Sequence, residues 1–96
     1  MTDSDEQPER RYDIQFGKGV EKLLGKLDNS VSKGLVEAIE TLAVEPAPSG
    51  VKPLVGHPGL LRVRVGDYRV VYTVDDEVLV VLVVHLGHRS TVYRDL

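Results

Sequence analysis

Two groups of arginine, histidine and tyrosine residues carry most of the chemistry that this sequence could perform. The first group lies in the run LLRVRVGDYR and consists of Arg62, Arg64 and Arg69. The second group lies in the run HLGHRSTVYRDL and consists of His85, His88, Arg89, Tyr93 and Arg94. Guanidinium groups bind phosphate oxygens, imidazoles transfer protons near neutral pH, and a tyrosine ring can stack on a base. The combination indicates binding of a phosphate-containing polyanion and proton transfer close to it.

The first group depends on a predicted β-hairpin. Residues 60–65 alternate apolar and charged side chains, residues 68–74 form the return strand, and the Gly-Asp pair between them favours a two-residue turn. That turn would place Arg64 opposite Arg69, on the face away from the apolar side chains. Like charges directly opposite each other destabilise a sheet, but two adjacent arginine residues favour the binding of a polyanion. Long arginine side chains that merely extend into solvent explain the pattern equally well.

The second group depends on a third strand. Residues 78–84 are an unbroken apolar run, which predicts a central strand covered on both faces. The acidic turn at residues 75–77 decides which side chains join the arginine residues. A three-residue turn would place His85 and Arg89 on their face, whereas a two-residue turn would place His88 there. The sequence leaves both registers open.

The earlier part of the chain predicts one strand and two helices that must support these strands. Residues 12–16 alternate and predict a short strand at a sheet edge. Residues 18–27 and 31–42 each carry one apolar stripe at helical spacing, and the short break between them predicts an antiparallel helical hairpin. Residues 43–59 are rich in proline and glycine and predict a loop that carries Lys52. The predicted fold is α+β: an N-terminal strand, a helical hairpin and an antiparallel three-stranded meander.

Composition indicates one domain with an acidic extension. The chain has 96 residues and a net charge of −3, and Asp3, Asp5, Glu6 and Glu9 fall in its first nine residues. Removing these four from the 15 acidic residues leaves 11 against 12 basic residues, so the remainder is about neutral. The first residues also lack apolar periodicity, which predicts a disordered tail over residues 1–11 and a folded domain over residues 12–96.

The sequence argues against several other kinds of site. There is no cysteine, so disulfides, thiolate metal sites and thiol nucleophiles are excluded. The histidines lack a third ligand at a usual spacing, and no P-loop, dinucleotide motif or nucleophile elbow is present, so neither a metal nor a cofactor is expected. No apolar run reaches about 18 residues and no signal-peptide region is visible, so we expect a cytoplasmic protein without a membrane span.

The segment from Lys52 to Arg94 resembles the RelE/ParE family of toxins from bacterial toxin–antitoxin pairs. The matching runs are RVRVGDYRVVY and, after the acidic turn, VVHLGHRSTVYR. The predicted order of strand, helical hairpin and three strands over residues 12–93 is also similar to that family. The resemblance implies a RelE-like fold of the microbial ribonuclease type and a small cognate antitoxin laid across the arginine face.

The RelE branch of the family implies a specific activity. Its members are metal-independent endoribonucleases that cut messenger RNA in the ribosomal A site and so inhibit translation. The 2′-OH attacks the adjacent phosphate, which leaves a 2′,3′-cyclic phosphate and a 5′-OH. The positions that match the branch's catalytic residues are Arg62, Arg64, Arg69, Arg89 and Tyr93. We interpret Lys52, His85 and Arg94 as additional RNA-binding residues.

The basic pair at Arg62 and Arg64 departs from the best-known pattern of the family, which has lysine at both positions. Arginine stays protonated in proteins, so neither residue can readily act as a general base. His88, which we include among the catalytic residues, or His85 would then take the proton from the 2′-OH.

Two alternatives to the ribonuclease remain. The ParE branch implies an inhibitor of DNA gyrase without nuclease activity, which would use the same fold as an interface. An inactivated toxin that retains only antitoxin binding is also compatible with the sequence. The presence of Arg69, Arg89 and Tyr93 favours the RelE branch, with the ribosome and messenger RNA as partners.

Overall fold

A mixed five-stranded sheet with two helices against one of its faces forms the fold. The computed structural model describes residues 11–92. Its strands are β1 (Asp13–Phe16), β2 (Lys52–Pro53), β3 (Leu61–Val65), β4 (Tyr68–Asp75) and β5 (Val80–His88). Its helices are α1 (Val20–Lys26) and α2 (Asn29–Thr41). The predicted α+β class, with an N-terminal strand, a helical hairpin and a meander, is confirmed.

Some sequence predictions fall outside the described residues. The predicted tail covers residues 1–11, of which only Arg11 is described. Tyr93 and Arg94 follow Val92, the last described residue. Within residues 11–92, no helix is long and apolar enough to cross a membrane.

The strands are arranged in the order β1-β5-β4-β3-β2. The edge strand β1 runs parallel to β5, and every other neighbouring pair is antiparallel. The predicted edge position of the first strand is therefore confirmed. The other edge strand, β2, lies inside the predicted loop, where it pairs Lys52 with Arg62. A proline is tolerated in β2 because an edge strand can leave one side of its backbone unpaired.

The core lies between the helical hairpin and the helix-facing side of the sheet. The predicted helical stripes are buried at Val20 and Leu24 of α1 and at Leu35 and Ile39 of α2. They pack in one cluster with buried side chains of the two central strands, Val70, Tyr72, Val81, Val83 and Leu86. Burying one such aliphatic side chain stabilises a fold by about 1.5–3 kcal/mol, so this cluster fixes which face of the sheet points inward.

Tyr72 ties the loop after α2 to the centre of the sheet. Its ring is fully buried, and its hydroxyl donates a 2.7 Å hydrogen bond to the Pro46 carbonyl oxygen. Burial raises the pKa of Tyr72 to about 12, because the phenolate would lose its hydration there. The bond therefore anchors the proline-rich segment with a neutral side chain.

The hairpin of β3 and β4 has the predicted register. Val65 pairs with Tyr68 and Arg64 pairs with Arg69 across a two-residue turn. Gly66 occupies the first central position of that turn with φ 61, and no positive φ is found at Asp67. Positive φ at the first position alone is the pattern of a type II′ turn, which glycine adopts without steric strain.

The connection between β4 and β5 differs from the prediction of a turn at residues 75–77. β4 continues to Asp75, and β5 begins only at Val80, which pairs with it. The Asp75 carboxylate accepts hydrogen bonds from the backbone N–H groups of Glu77 (3.0 Å) and Val78 (3.3 Å). These local bonds hold Val78 in the turn with 65% of its surface exposed, against its preference for strands.

The predicted coverage of the last strand on both faces is wrong for the described residues. Val81 and Val83 of β5 are completely buried under the helices. Val80 and Leu82 point to the opposite face, where they are half-buried, and no helix of residues 11–92 covers them. The unbroken apolar run therefore indicated a central strand but not two protein layers around it.

Candidate functional site

Four cationic residues share the sheet face that lies opposite the helices. In one cross-strand row, Lys52 of β2 pairs with Arg62 of β3, which pairs with Val71 of β4. In the next row, Arg64 pairs with Arg69. Directly opposed residues project from the same face, and strands lie about 4.8 Å apart, so the four side chains start within about 12 Å of one another. We call this set, Lys52, Arg62, Arg64 and Arg69, the basic face.

The basic face has no carboxylate partner within the described residues. Two of its side chains donate hydrogen bonds to backbone oxygens instead: Arg64 Nε to Gly66 and Arg69 Nη1 to Tyr68, both at 3.3 Å. An ion pair within residues 11–92 joins Arg89 and Asp67 at 4.0 Å, and neither of these residues belongs to the basic face. Mutual repulsion of like charges is thus left for a bound anion to relieve.

Val71 forms the floor of the basic face. It is completely buried although no helix of residues 11–92 covers its side of the sheet. Its cross-strand neighbours are Arg62 on one side and His85 on the other. Arginine side chains commonly lay their aliphatic stems over apolar surface while the charged head stays in water. Val71 is thus a buried apolar position between Arg62 and His85.

A β-bulge in β5 brings His85 to the basic face. Tyr72 pairs with Val83, but Val71 pairs with His85, so Val84 is an extra residue on β5. A regular ladder would place Val84 opposite Val71 and turn His85 toward the helices. The bulge thus adds the imidazole of His85 to the cross-strand row of Lys52, Arg62 and Val71. Nothing in the valine-rich run marked this position, and the sequence alone could not have located the bulge.

His88 lies on the other side of the sheet. It pairs with Tyr68, which belongs to the helix-facing side, and the two rings meet edge to face with centroids 5.6 Å apart. The Ser90 backbone N–H donates to His88 Nδ1 (3.2 Å), and the Ser90 hydroxyl is 2.8 Å from the same nitrogen. Because Nδ1 accepts a hydrogen bond, the neutral ring carries its proton on Nε2. In this arrangement the exposed nitrogen is a donor and not a proton acceptor.

Arg89 is held at the hairpin end of the basic face. Its backbone N–H donates to the Asp67 carbonyl oxygen at 2.7 Å, and its Nε lies 4.0 Å from Asp67 Oδ1. Asp67 belongs to the turn that joins Arg64 to Arg69. The ion pair is exposed and contributes little stability, so Arg89 is free to exchange this carboxylate for a phosphate.

The candidate site is a surface rather than a pocket. A groove of about 460 Å³ lies between α1 and the end of β5. Leu23 and Leu27 line it on the helix side, and Tyr68, His85 and His88 line it on the strand side. None of Arg62, Arg64, Arg69 and Arg89 lines this groove. Among residues 11–92, no group of three or more histidine or acidic side chains could hold a metal ion. The strand register therefore places Arg62, Arg64, Arg69, Lys52 and His85 on one face, with Arg89 beside them, and His88 on the other face, while both histidines border the groove.

Comparison with known proteins identifies the family of this chain. The family model for the ParE toxin of type II toxin–antitoxin system, parDE, matches residues 9–93. The chain belongs to the RelE/ParE toxin family. The resemblance seen in the hairpin and in the last strand is confirmed by this match, which spans all the described residues.

Relatives within the RelE/ParE family agree in sequence and in structure. Toxin RelG of Mycobacterium tuberculosis is 34% identical over 85 residues, which cover 86% of this chain and 97% of RelG. The crystal structure of the archaeal RelE–RelB complex from Pyrococcus horikoshii matches with a TM-score of 0.72 and 32% identity, over 82% of this chain and 96% of that one. The isolated Escherichia coli RelE toxin matches with a TM-score of 0.69 and 28% identity, over 80% and 83% of the two chains. The RelE-like fold is thereby confirmed.

Proposed function

We propose that this toxin is a ribosome-dependent endoribonuclease that cuts messenger RNA and thereby inhibits translation. The observation that carries the proposal is the cross-strand row in which the bulge sets His85 beside Val71 and Arg62. A proton acceptor next to unpaired guanidinium groups is what cleavage of RNA by its own 2′-OH requires.

The proposed reaction needs groups on this face, the RNA and solvent water. His85 takes the proton from the 2′-OH, the 2′-oxygen forms a bond to the adjacent phosphorus, and the bond from phosphorus to the 5′-oxygen breaks. The 5′-oxygen takes a proton from water and leaves as a 5′-OH, and protonated His85 returns its proton to the solvent. The other product ends in a 2′,3′-cyclic phosphate. Arg62, Arg64 and Arg69 stabilise the charge that develops on the phosphoryl oxygens, and one such donor contributes about 10²–10³-fold in rate.

The remaining predicted residues take positions around this centre. Arg89, at the hairpin end, stabilises the leaving 5′-oxygen, and Lys52, at the outer edge, binds a neighbouring phosphate. The predicted roles of Tyr93 in stacking on a base and of Arg94 in RNA binding fall outside the described residues and stay predictions. We assign the general base to His85 rather than His88, because His88 shares its face with Tyr68 and presents a donor nitrogen.

The proposed partners are the ribosome with its messenger RNA and a cognate antitoxin. The Pyrococcus horikoshii relative was solved as a RelE–RelB complex, which supports an antitoxin partner for this chain as well. The basic face is the surface that such an antitoxin would have to cover in order to block RNA.

A second candidate function is inhibition of DNA gyrase, because the family model that matches bears the name of the ParE toxin. One experiment separates the two candidates. Purified protein is incubated with programmed ribosomes and end-labelled message, and in parallel with gyrase and relaxed plasmid. Cleavage of the message with normal supercoiling supports the ribonuclease. Blocked supercoiling with intact message would assign the protein to the gyrase inhibitors.

A further inference from the structure

A short turn after β5 carries Arg89 and is held by backbone hydrogen bonds on both sides of it. The N–H groups of Thr91 and Val92 both donate to the His88 carbonyl oxygen at 2.9 Å. The Arg89 N–H donates to the Asp67 carbonyl oxygen at 2.7 Å, while the Arg89 side chain stays 60% exposed. The backbone of Arg89 is therefore fixed, and its guanidinium group is presented to solvent.

Val92 closes this turn against Gly87. A Cβ atom at Gly87 would lie 3.4 Å from both Cα and Cβ of Val92 and 3.6 Å from its Cγ2. Carbon atoms are in contact at about 3.5–4.0 Å, so Val92 occupies the space into which a side chain at position 87 would extend. Val92 is only 1% exposed, so it can give way only if its surroundings repack.

The close approach of Val92 explains why position 87 is a glycine. Gly87 lies inside β5, where glycine weakens a strand, and it does not have the positive φ that would require glycine. Its cross-strand partner is Arg69, and directly opposed residues project from the same face. The missing side chain thus leaves room for Val92 on the side of β5 that continues into the basic face.

We propose that Gly87 and Val92 are positioning residues for Arg89. Their contact seats the turn, and the seated turn holds the guanidinium group at the hairpin end of the basic face. This inference rests on the proposed function, in which Arg89 stabilises the leaving 5′-oxygen. Misplacing a positioned group by about 1 Å can lower a rate by about 10²-fold, so the seating of the turn sets the cleavage rate.

A graded series at position 87 tests the contact. Gly87→Ala adds a Cβ at ordinary contact distance from Val92, so its single-turnover cleavage rate should stay within about 3-fold of the wild-type rate. Gly87→Val adds two further carbon atoms that press on Val92, and we expect a fall of about 10²-fold. Gly34→Val is the matched control, because a Cβ at Gly34 meets no atom within 4 Å. Equal losses in the two valine variants would overturn the proposal.

A double-mutant cycle shows whether position 87 acts through Arg89. In an Arg89→Ala background, Gly87→Val has no guanidinium group left to displace, so the further loss of rate should be less than about 3-fold. A merely structural role would cost the same factor with or without Arg89. An undiminished loss in the Arg89→Ala background would therefore refute the positioning role.

Amide hydrogen exchange measures the seating of the turn without any cleavage. We expect the Arg89 amide to exchange at least about 10-fold faster in Gly87→Val than in the wild type, because its bond to Asp67 is loosened. The amides of Val81 and Val83, in the core part of β5, should keep their protection. Unchanged exchange at Arg89 would contradict the proposal.

A second variant removes the contact from the other side. If Gly87→Val unfolds, Val92→Ala replaces it in both the cycle and the exchange measurement, and the same outcomes decide. Faster exchange at Arg89 in a wild-type background that does not cleave message would retain the seating of Arg89 by Gly87 and Val92 and reject the proposed function.

Discussion

Arg64 and Arg69 lie directly opposite each other on β3 and β4, and no carboxylate of the described residues lies within 4.0 Å of either one. A like-charge pair of this kind lowers the stability of a hairpin, by up to about 1 kcal/mol for directly opposed residues. The fold therefore gains no stability from the pair, which is consistent with the anionic RNA ligand that we propose.

Arg69→Ala should separate stability from activity. Removing one member of the pair relieves the repulsion, so we expect a melting temperature equal to or above that of the wild type, by circular dichroism. Cleavage of ribosome-bound message should fall by at least about 10²-fold, because a donor to the phosphoryl oxygens is lost. Lys33→Ala, on the exposed side of α2, serves as a control that should keep full activity. Wild-type activity in Arg69→Ala would rule out a role for this face in cleavage.

His85→Gln and His88→Gln should differ strongly in activity. His85 lies on the basic face, so its replacement removes the proposed base, and we expect the single-turnover cleavage rate to fall by about 10²–10⁴-fold. His88 lies against Tyr68 on the other side, so its replacement should have a much smaller effect on the rate. Single-turnover rates are measured because they do not depend on product release. A larger loss of rate in His88→Gln than in His85→Gln would assign the general base to His88.

Because Val84 is the extra residue of the bulge, we expect the fold to tolerate its deletion. Because Val71 already pairs with His85 and Tyr72 with Val83, removing Val84 leaves every other pair between β4 and β5 in place. We expect this deletion to keep His85 on the basic face and to retain cleavage. Deletion of Leu82, which pairs with both Thr73 and Gln15, should shift the following residues to the wrong faces and unfold the protein. Thermal melts of the two deletions are the comparison, and equal destabilisation would contradict the assigned register.

Tyr72→Phe probes the bond to the Pro46 carbonyl oxygen. Its loss removes one partly buried hydrogen bond, so we expect a decrease of about 0.5–1.5 kcal/mol in the free energy of unfolding, measured in urea. The pKa of Tyr72 is raised from 10.0 to about 12 in the folded state, so the folded protein holds its proton more tightly than the unfolded chain. The corresponding stability is complete below pH 10 and is lost as pH rises toward 12. The decline of wild-type stability across that interval should be steeper than that of Tyr72→Phe.

The arginine surface was predictable because its cause is local. A Gly-Asp turn between two alternating strands allows essentially one pairing, so the opposition of Arg64 and Arg69 follows from the order of residues in the hairpin. The apolar stripes of α1 and α2 were predictable for the same reason, since helical spacing is a property of the local sequence.

The position of the histidines was not predictable, because two separate features determine it. The Asp75 side chain binds the backbone of the turn and delays the start of β5 to Val80. The bulge at Val84 then reverses the faces once more, so that His85 joins the arginine residues and His88 does not. In a run of valine and leucine, every residue fits either face, so the sequence contains no marker for the bulge.

The ends of the RNA products provide the most specific test of the mechanism. If the 2′-OH is the nucleophile, the upstream fragment should end in a 2′,3′-cyclic phosphate and the downstream fragment should begin with a 5′-OH. Polynucleotide kinase should then label the downstream fragment without prior phosphatase treatment. Replacing the nucleotide at the cleavage site by its 2′-deoxy form should abolish cleavage, because the attacking oxygen is missing.

Chelation of divalent ions, tested on ribosomes stabilised by polyamines, should leave the rate unchanged, since cationic side chains supply the charge stabilisation. Cleavage of the deoxy substrate, or a 5′-phosphate on the downstream fragment, would require water as the nucleophile and would leave the row of Arg62, Val71 and His85 without its proposed role.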